Sequence, residues 1–242
     1  AALNVLEPMS TGVGGDLFAL VWMNAEKRVR AFNASGRAPM AASVEELNVK
    51  GLTSIPFESA YSVTVPGTVD GWNVLLSTHG SMPLSHVLGP AIEYAESGYP
   101  VPEVEAWSWA KGIPNLSKQP SGAEIMLDGR APRHGEMMRL PQLAGTLRTI
   151  AEGGPRAFYE GDLAAKISTF VQRQGGWLST KDMAAHTSTW VEPISTDYRG
   201  VTCWQCPPNG HGIAVLMALN IAEGFDLRDM GAQAPNTYHH LI

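Results

Sequence analysis

The residues FNASGRAP, positions 32–39, could do chemistry because of how they hold an arginine. A β-rich run ends in Asn33, Ala34 and Ser35, a glycine follows, and Arg37 stands two residues before Pro39. Proline fixes its own φ and restricts the residue before it, so the segment is too stiff to wander. Arginine there offers a planar fork of five donors that matches a carboxylate. The competing reading is a solvated surface ion pair, the commoner state of an arginine at a strand end.

Other constellations are weaker on their own chemistry. Gly12-Val13-Gly14-Gly15 looks like a dinucleotide loop, yet that fingerprint needs a following helix and a third glycine where Leu17 stands. A tight turn with amides free to face an anion is the better reading. Cys203 and Cys206 form a CxxC without a second pair, and His211, His239 and His240 do not complete a zinc pattern. A redox pair would open a helix, whereas TCWQC reads as strand, so two ordinary thiols are expected. No GxSxG occurs, and the paired carboxylates Glu45-Glu46 and Glu103/Glu105 suit solvated faces. The residues call for no metal and no cofactor.

The elements that must position Arg37 can be read around it. LFALVWMN (17–24) and RVRAFNAS (28–35) form an antiparallel hairpin, with SVTVPG (62–67) as a third short strand. Leu84, Val87, Leu88, Ala91, Ile92 and Ala95 follow a helical period that Gly98 would close with an αL cap. Leu140, Leu143, Leu147 and Ile150 repeat that period, as do Leu163, Ile167, Phe170 and Val171, each group a core-facing stripe before a Gly-Gly pair. Ser179 and Asp182 have capping-box spacing for a short helix over 179–186. Two strands follow over 190–208, then a Gly-bounded helix at 212–224. Strands and helices fall in blocks, which points to α+β layers, and without a linker the simplest organisation is one domain over 1–242.

Composition narrows the partners. The chain has 242 residues, enough for a sizeable core, and carries 17 Lys and Arg against 23 Asp and Glu for a net charge of −6. Without a basic run it is no candidate for nucleic acid, and no apolar stretch approaches the roughly 20 residues of a membrane span. Two cysteines do not make a disulfide scaffold. AALNVLEP reads as the tail of a helix and NTYHHLI stops in mid-period, so further chain is expected at both ends. A signal peptide, if there is one, would lie upstream, which leaves cytoplasmic, periplasmic and secreted locations open.

Taken together, EPMSTGVGGDLF, SGRAP, SVTVPGTVDGW, HVLGPAIEYAESGYPV, RAFYEGDLAAKI, GGWLSTKDMAAHTSTWVEPISTDYRG and PPNGHGIAVLMALNIAEGFDL resemble the γ-glutamyltransferase family of N-terminal-nucleophile hydrolases. The resemblance covers most of that family's large subunit. It implies a four-layered αββα sandwich, completed by a small subunit cut from the same precursor. It implies a threonine nucleophile at the new N-terminus of that subunit, and an acyl-enzyme that passes its acyl group to water or an amino acid. No catalytic residue is therefore expected in this chain, which alone should be inactive. It should also be aggregation-prone or bound to another chain, because a sheet edge and an apolar face would lack their cover.

In the family one arginine, four residues ahead of the proline in this turn, grips the donor's α-carboxylate. Here Ser35 holds that position, and Arg37 stands two residues later. Residues i and i+2 of extended chain share a side, so Ser35 and Arg37 are the substrate-binding candidates. The departure leaves three activities open. These are a γ-glutamyltransferase or glutathione hydrolase-like enzyme, an acylase for another dicarboxylyl amide such as that of a β-lactam, and a non-catalytic scaffold without the nucleophile.

Overall fold

The computed structural model describes residues 1–119 and 121–242. The chain forms two compact units, one of Ala1–Asp16 with Ser35–Thr187 and one of Leu17–Ala34 with Ser188–Ile242.

The first unit is mainly helical. It contains α1 (Ala2–Leu6), α2 (Val44–Val49), α3 (Thr68–His79), α4 (Leu84–Ser97), α5 (Glu103–Leu116), α6 (Pro141–Tyr159), α7 (Asp162–Arg173) and α8 (Thr180–Ala184). A two-residue ladder pairs β3 (Tyr99–Pro100) with β4 (Met137–Met138). Its core packs Val5, Val69, Leu88, Trp109, Leu147, Ile150, Phe158, Leu178 and Met183 away from water. Two of its large polar side chains find backbone partners. The Trp109 indole donates to the Ile125 carbonyl at 2.8 Å, and the Tyr99 hydroxyl to the Val5 carbonyl at 2.8 Å. Burial pushes the Tyr99 phenol well above its usual range.

The second unit carries the longer strands. β1 (Leu17–Met23) and β2 (Arg28–Ala34) pair antiparallel from Leu17↔Ala34 to Met23↔Arg28, and β5 (Thr189–Val191) adds to the β2 edge. Phe32 meets Trp190 across that edge, ring centroids 4.8 Å apart. β6 (Ile194–Tyr198) and β7 (Val201–Gln205) form a second hairpin. Arg199 and Gly200 turn it at φ 50° and 78°, the positive φ pair that a two-residue hairpin with native twist requires. Three helices complete the unit, α9 (Gly212–Glu223), α10 (Leu227–Met230) and α11 (Pro235–Leu241).

The first hairpin, the stripe helices and the Ser179/Asp182 capping box lie where the sequence places them, while the run 190–200 divides, its start pairing with β2 as β5 and the rest forming the second hairpin with β7. Three details differ. Residues 63–67 are not a strand, because Pro66 has no N–H to give a ladder and the backbone bonds of the segment scatter, Val63 to Ala60, Val65 to Arg37 and Gly67 to Gly15. Gly98 closes α4 with φ 92° and ψ 164°, an extended positive-φ conformation and not αL. In α7 the buried positions are Ala164, Ser168 and Val171, so the inward face is rotated and Phe170 is exposed. The sequence carries no clear periodic signal for α3 and α5, whose apolar positions are mixed with Gly, Ser and Asn.

Candidate functional site

The turn bearing Arg37 is tied at four points within the first unit. The Ser35 hydroxyl donates to Asp16 Oδ2 at 3.1 Å, and the Gly36 N–H to Asp16 Oδ1 at 2.9 Å. The Arg37 carbonyl accepts from Val65 N–H at 3.0 Å, and Met40 N–H donates to Asp182 Oδ1 at 2.9 Å. Gly36 is obligatory on steric grounds, since a Cβ there would lie 1.4 Å from the Val65 carbonyl oxygen. Arg37 is exposed, and among the described residues its guanidinium forms no hydrogen bond or ion pair. The backbone is fixed and the cationic fork is free, which suits capture of an anion from solvent.

Each tie is itself anchored. Gly67 and Thr68, at the start of α3, both donate backbone N–H to the Gly15 carbonyl at 3.0 Å, and the Thr68 hydroxyl donates to the Asp16 carbonyl at 3.1 Å. The Tyr159 hydroxyl donates to the Pro66 carbonyl at 2.7 Å and accepts from Asp70 N–H at 3.1 Å, which holds the intervening segment to α6. Burial pushes this phenol well above its usual range. Asp182 caps α8, accepting from the Ser179 N–H at 2.9 Å and hydroxyl at 2.6 Å while it holds Met40. Burial would raise its carboxyl pKa, but these donors outweigh that and hold it below the usual range.

His186, just after α8, stacks on Tyr159 with centroids 5.4 Å apart. Both ring nitrogens are buried without a hydrogen-bond partner. Burial holds the imidazole below its ordinary pKa; Asp70 and Asp16 oppose this, and the positive charge of Arg37 adds to it. The ring is thus kept neutral beside the turn.

The sequence candidates Ser35 and Arg37 therefore sit together, with different occupations: the Ser35 hydroxyl is engaged by Asp16, and the Arg37 side chain is open. Asp16 and Asp182 escaped the sequence reading. A signal for Asp16 was present in the hairpin register, because pairing Leu17 with Ala34 places Asp16 opposite Ser35 one step outward. Asp182 was recognised as a cap, but its bond to Met40 spans 142 positions and leaves no local trace. The Gly12–Gly14 loop lines a cavity of about 490 Å³ with Asn4, Leu140 and Gln142, and Ser35 and Arg37 are not among its walls. Cys203 and Cys206 are free thiols, and no group of three or more His, Cys, Asp or Glu fit for a metal occurs among the described residues.

A family model described as gamma-glutamyltranspeptidase matches residues 1–242. The chain belongs to that family. Among its γ-glutamyltranspeptidase relatives, the glutathione hydrolase-like YwrD proenzyme of Bacillus subtilis is 39% identical over 244 residues, all of this chain and 46% of the relative. The oxamate amidohydrolase proenzyme of Klebsiella pneumoniae is 33% identical over 249 residues, again all of this chain and 46% of the relative. The crystal structure of cephalosporin acylase from Bacillus halodurans superposes with a TM-score of 0.90 at 42% identity, over 99% of this chain and 45% of that one. The mixed α/β fold is thus shared with this acylase, and the chain spans about half the length of the curated relatives it matches. Two of those relatives are named proenzymes.

Proposed function

We propose that this chain is the large-subunit part of an amidase or acyltransferase whose acyl donor carries a carboxylate, and that Arg37 grips that carboxylate. The observation that carries the reading is a free guanidinium on a turn tied at four points. The relatives agree in chemistry, since glutathione, oxamate and cephalosporins are all amides that bear a carboxylate. The nucleophile, a threonine freed by self-cleavage, comes from chain downstream. Its hydroxyl oxygen attacks the donor carbonyl, the hydroxyl proton passes to the departing amine, and an ester acyl-enzyme remains for water or an amino acid to open. This chain's share is binding and orientation.

Ser35 favours one version of this reading. It stands where the family resemblance places the carboxylate-binding arginine, so the cation enters from two residues further on. A shifted cation suits a dicarboxylyl donor such as glutaryl as well as γ-glutamyl. The second unit supports the need for a partner: α9 exposes Ile213, Val215, Met217 and Ile221, an apolar face for a small subunit to cover.

The test uses the full-length precursor after self-cleavage, assayed with γ-glutamyl and glutaryl anilides. Arg37→Ala should raise KM at least tenfold with kcat little changed, the signature of lost ground-state and transition-state binding together. An unchanged KM for both donors overturns the assignment, and a mature protein without a threonine at the new N-terminus overturns the enzyme reading.

A further inference from the structure

Arg37 cannot aim itself. Its side chain touches no hydrogen-bond or ion-pair partner among the described residues, so the point from which the fork reaches out is set by the backbone that carries it. That backbone is set in turn by the two residues before it, and both are held by one carboxylate. Asp16 receives the Ser35 hydroxyl on one oxygen and the Gly36 N–H on the other, at 3.1 and 2.9 Å. The Asp16 backbone is itself immobilised, because its carbonyl and that of Gly15 accept three bonds from Gly67 and Thr68. Thr68 is buried at the start of α3. A continuous chain of short bonds therefore runs from the packed helix through Asp16 to the turn.

We infer that Asp16 is a positioning residue that sets where Arg37 presents its guanidinium, and thereby the preference for carboxylate-bearing donors. The inference rests on the reading of Arg37 given above. Small displacements of a clamp cost large factors in rate and affinity, so loosening Asp16 should act through substrate recognition. The function is geometric and does not depend on the negative charge. An asparagine keeps both ties: its Oδ1 accepts the Gly36 N–H, and its Nδ2 donates to a Ser35 hydroxyl that turns to accept.

The processed full-length enzyme would be compared on two anilides of equal chain length, glutaryl and the uncharged valeryl. With Asp16→Ala, KM for the glutaryl donor should rise at least tenfold, and the ratio of glutaryl to valeryl kcat/KM should fall at least tenfold. Asp16→Asn should restore both to within threefold of wild type. The inference is overturned if both donors lose equally, if KM does not move, or if Asp16→Asn is as impaired as Asp16→Ala. A selective loss of γ-glutamyl over glutaryl turnover in Asp16→Asn also overturns it, because the carboxylate would then be binding the donor's ammonium. If Asp16→Ala fails to self-cleave or melts early, Ser35→Ala removes the hydroxyl tie to Asp16, keeps the Gly36 bond, and should raise glutaryl KM about threefold; no rise overturns the inference. Arg37→Ala run in parallel separates the two failures. An unaffected Arg37→Ala sinks the reading of the arginine, whereas a damaged Arg37→Ala beside an unaffected Asp16→Ala sinks only the role of Asp16.

Discussion

The two units differ in what they do with their apolar residues. In the first, Trp109, Phe158, Leu88, Leu147 and Ile150 are wholly buried in one core. In the second, Phe32 is the one large side chain so enclosed, while Trp22 in β1 is 56% exposed and Ile221 in α9 is 63% exposed. A helix that is apolar on every side belongs in an interior, yet α9 buries only Leu216. The contrast separates two jobs. The first unit encloses a core and holds the tied turn, and the second leaves much of its apolar surface open.

The largest effect that tests this contrast is truncation of large side chains. Phe158→Ala should destabilise the chain by about 3–5 kcal/mol, as loss of a buried aromatic does. Ile221→Ala should stay within about 0.5 kcal/mol in the chain alone, as exposed positions do, and weaken association with the small subunit instead. Urea unfolding measures the first and co-purification the second; equal costs in the isolated chain would break the comparison.

Two aspartate caps sharpen it at smaller scale. Asp182 is buried and serves Ser179 and Met40 at once, so Asp182→Ala should cost about 2 kcal/mol, half of a capping box plus a part-buried donor left without its acceptor. Asp226 is exposed and accepts a single bond from Asp229 N–H at 3.2 Å, and Asp226→Ala should cost about 0.5–1 kcal/mol. Thermal melts of the two variants should keep that order.

The smallest effect is pH-dependent and belongs to His186. Its folded pKa lies below the unfolded value of about 6.5, so at higher pH the ring is neutral in both states and costs nothing. As pH falls through about 6.5, the unfolded chain takes up a proton that the folded chain resists, and stability declines until the folded ring titrates too. His186→Phe keeps a ring against Tyr159 and should flatten this acid limb. An unaltered slope of stability against pH between about 7 and 5 would show that the ring is not held neutral.

How much of this was legible in the sequence follows from the range of each interaction. Hairpins and stripe helices were readable because period and turn chemistry are local, as with Leu84 to Ala95 in α4 and the strands on either side of Arg199-Gly200. Helix α3 was hidden because its start is fixed by bonds from Gly67 and Thr68 to distant Gly15, with no capping side chain to announce it. The turn of Arg37 was visible through Gly36 and Pro39. The residues that tie it were not, since Asp16, Val65 and Asp182 stand 20, 28 and 142 positions from their partners. Family resemblance supplied the placement of Ser35, which composition and period do not contain.

The four-point turn bears on any attempt to redesign the proposed carboxylate grip. Moving the cation back to position 35 would delete the hydroxyl that Asp16 holds and set a second guanidinium on the same side as Arg37. The graft would thus pit like charges against each other on a loosened support. A successful exchange has to relocate an anchor together with the charge, which makes this turn a unit to be swapped whole.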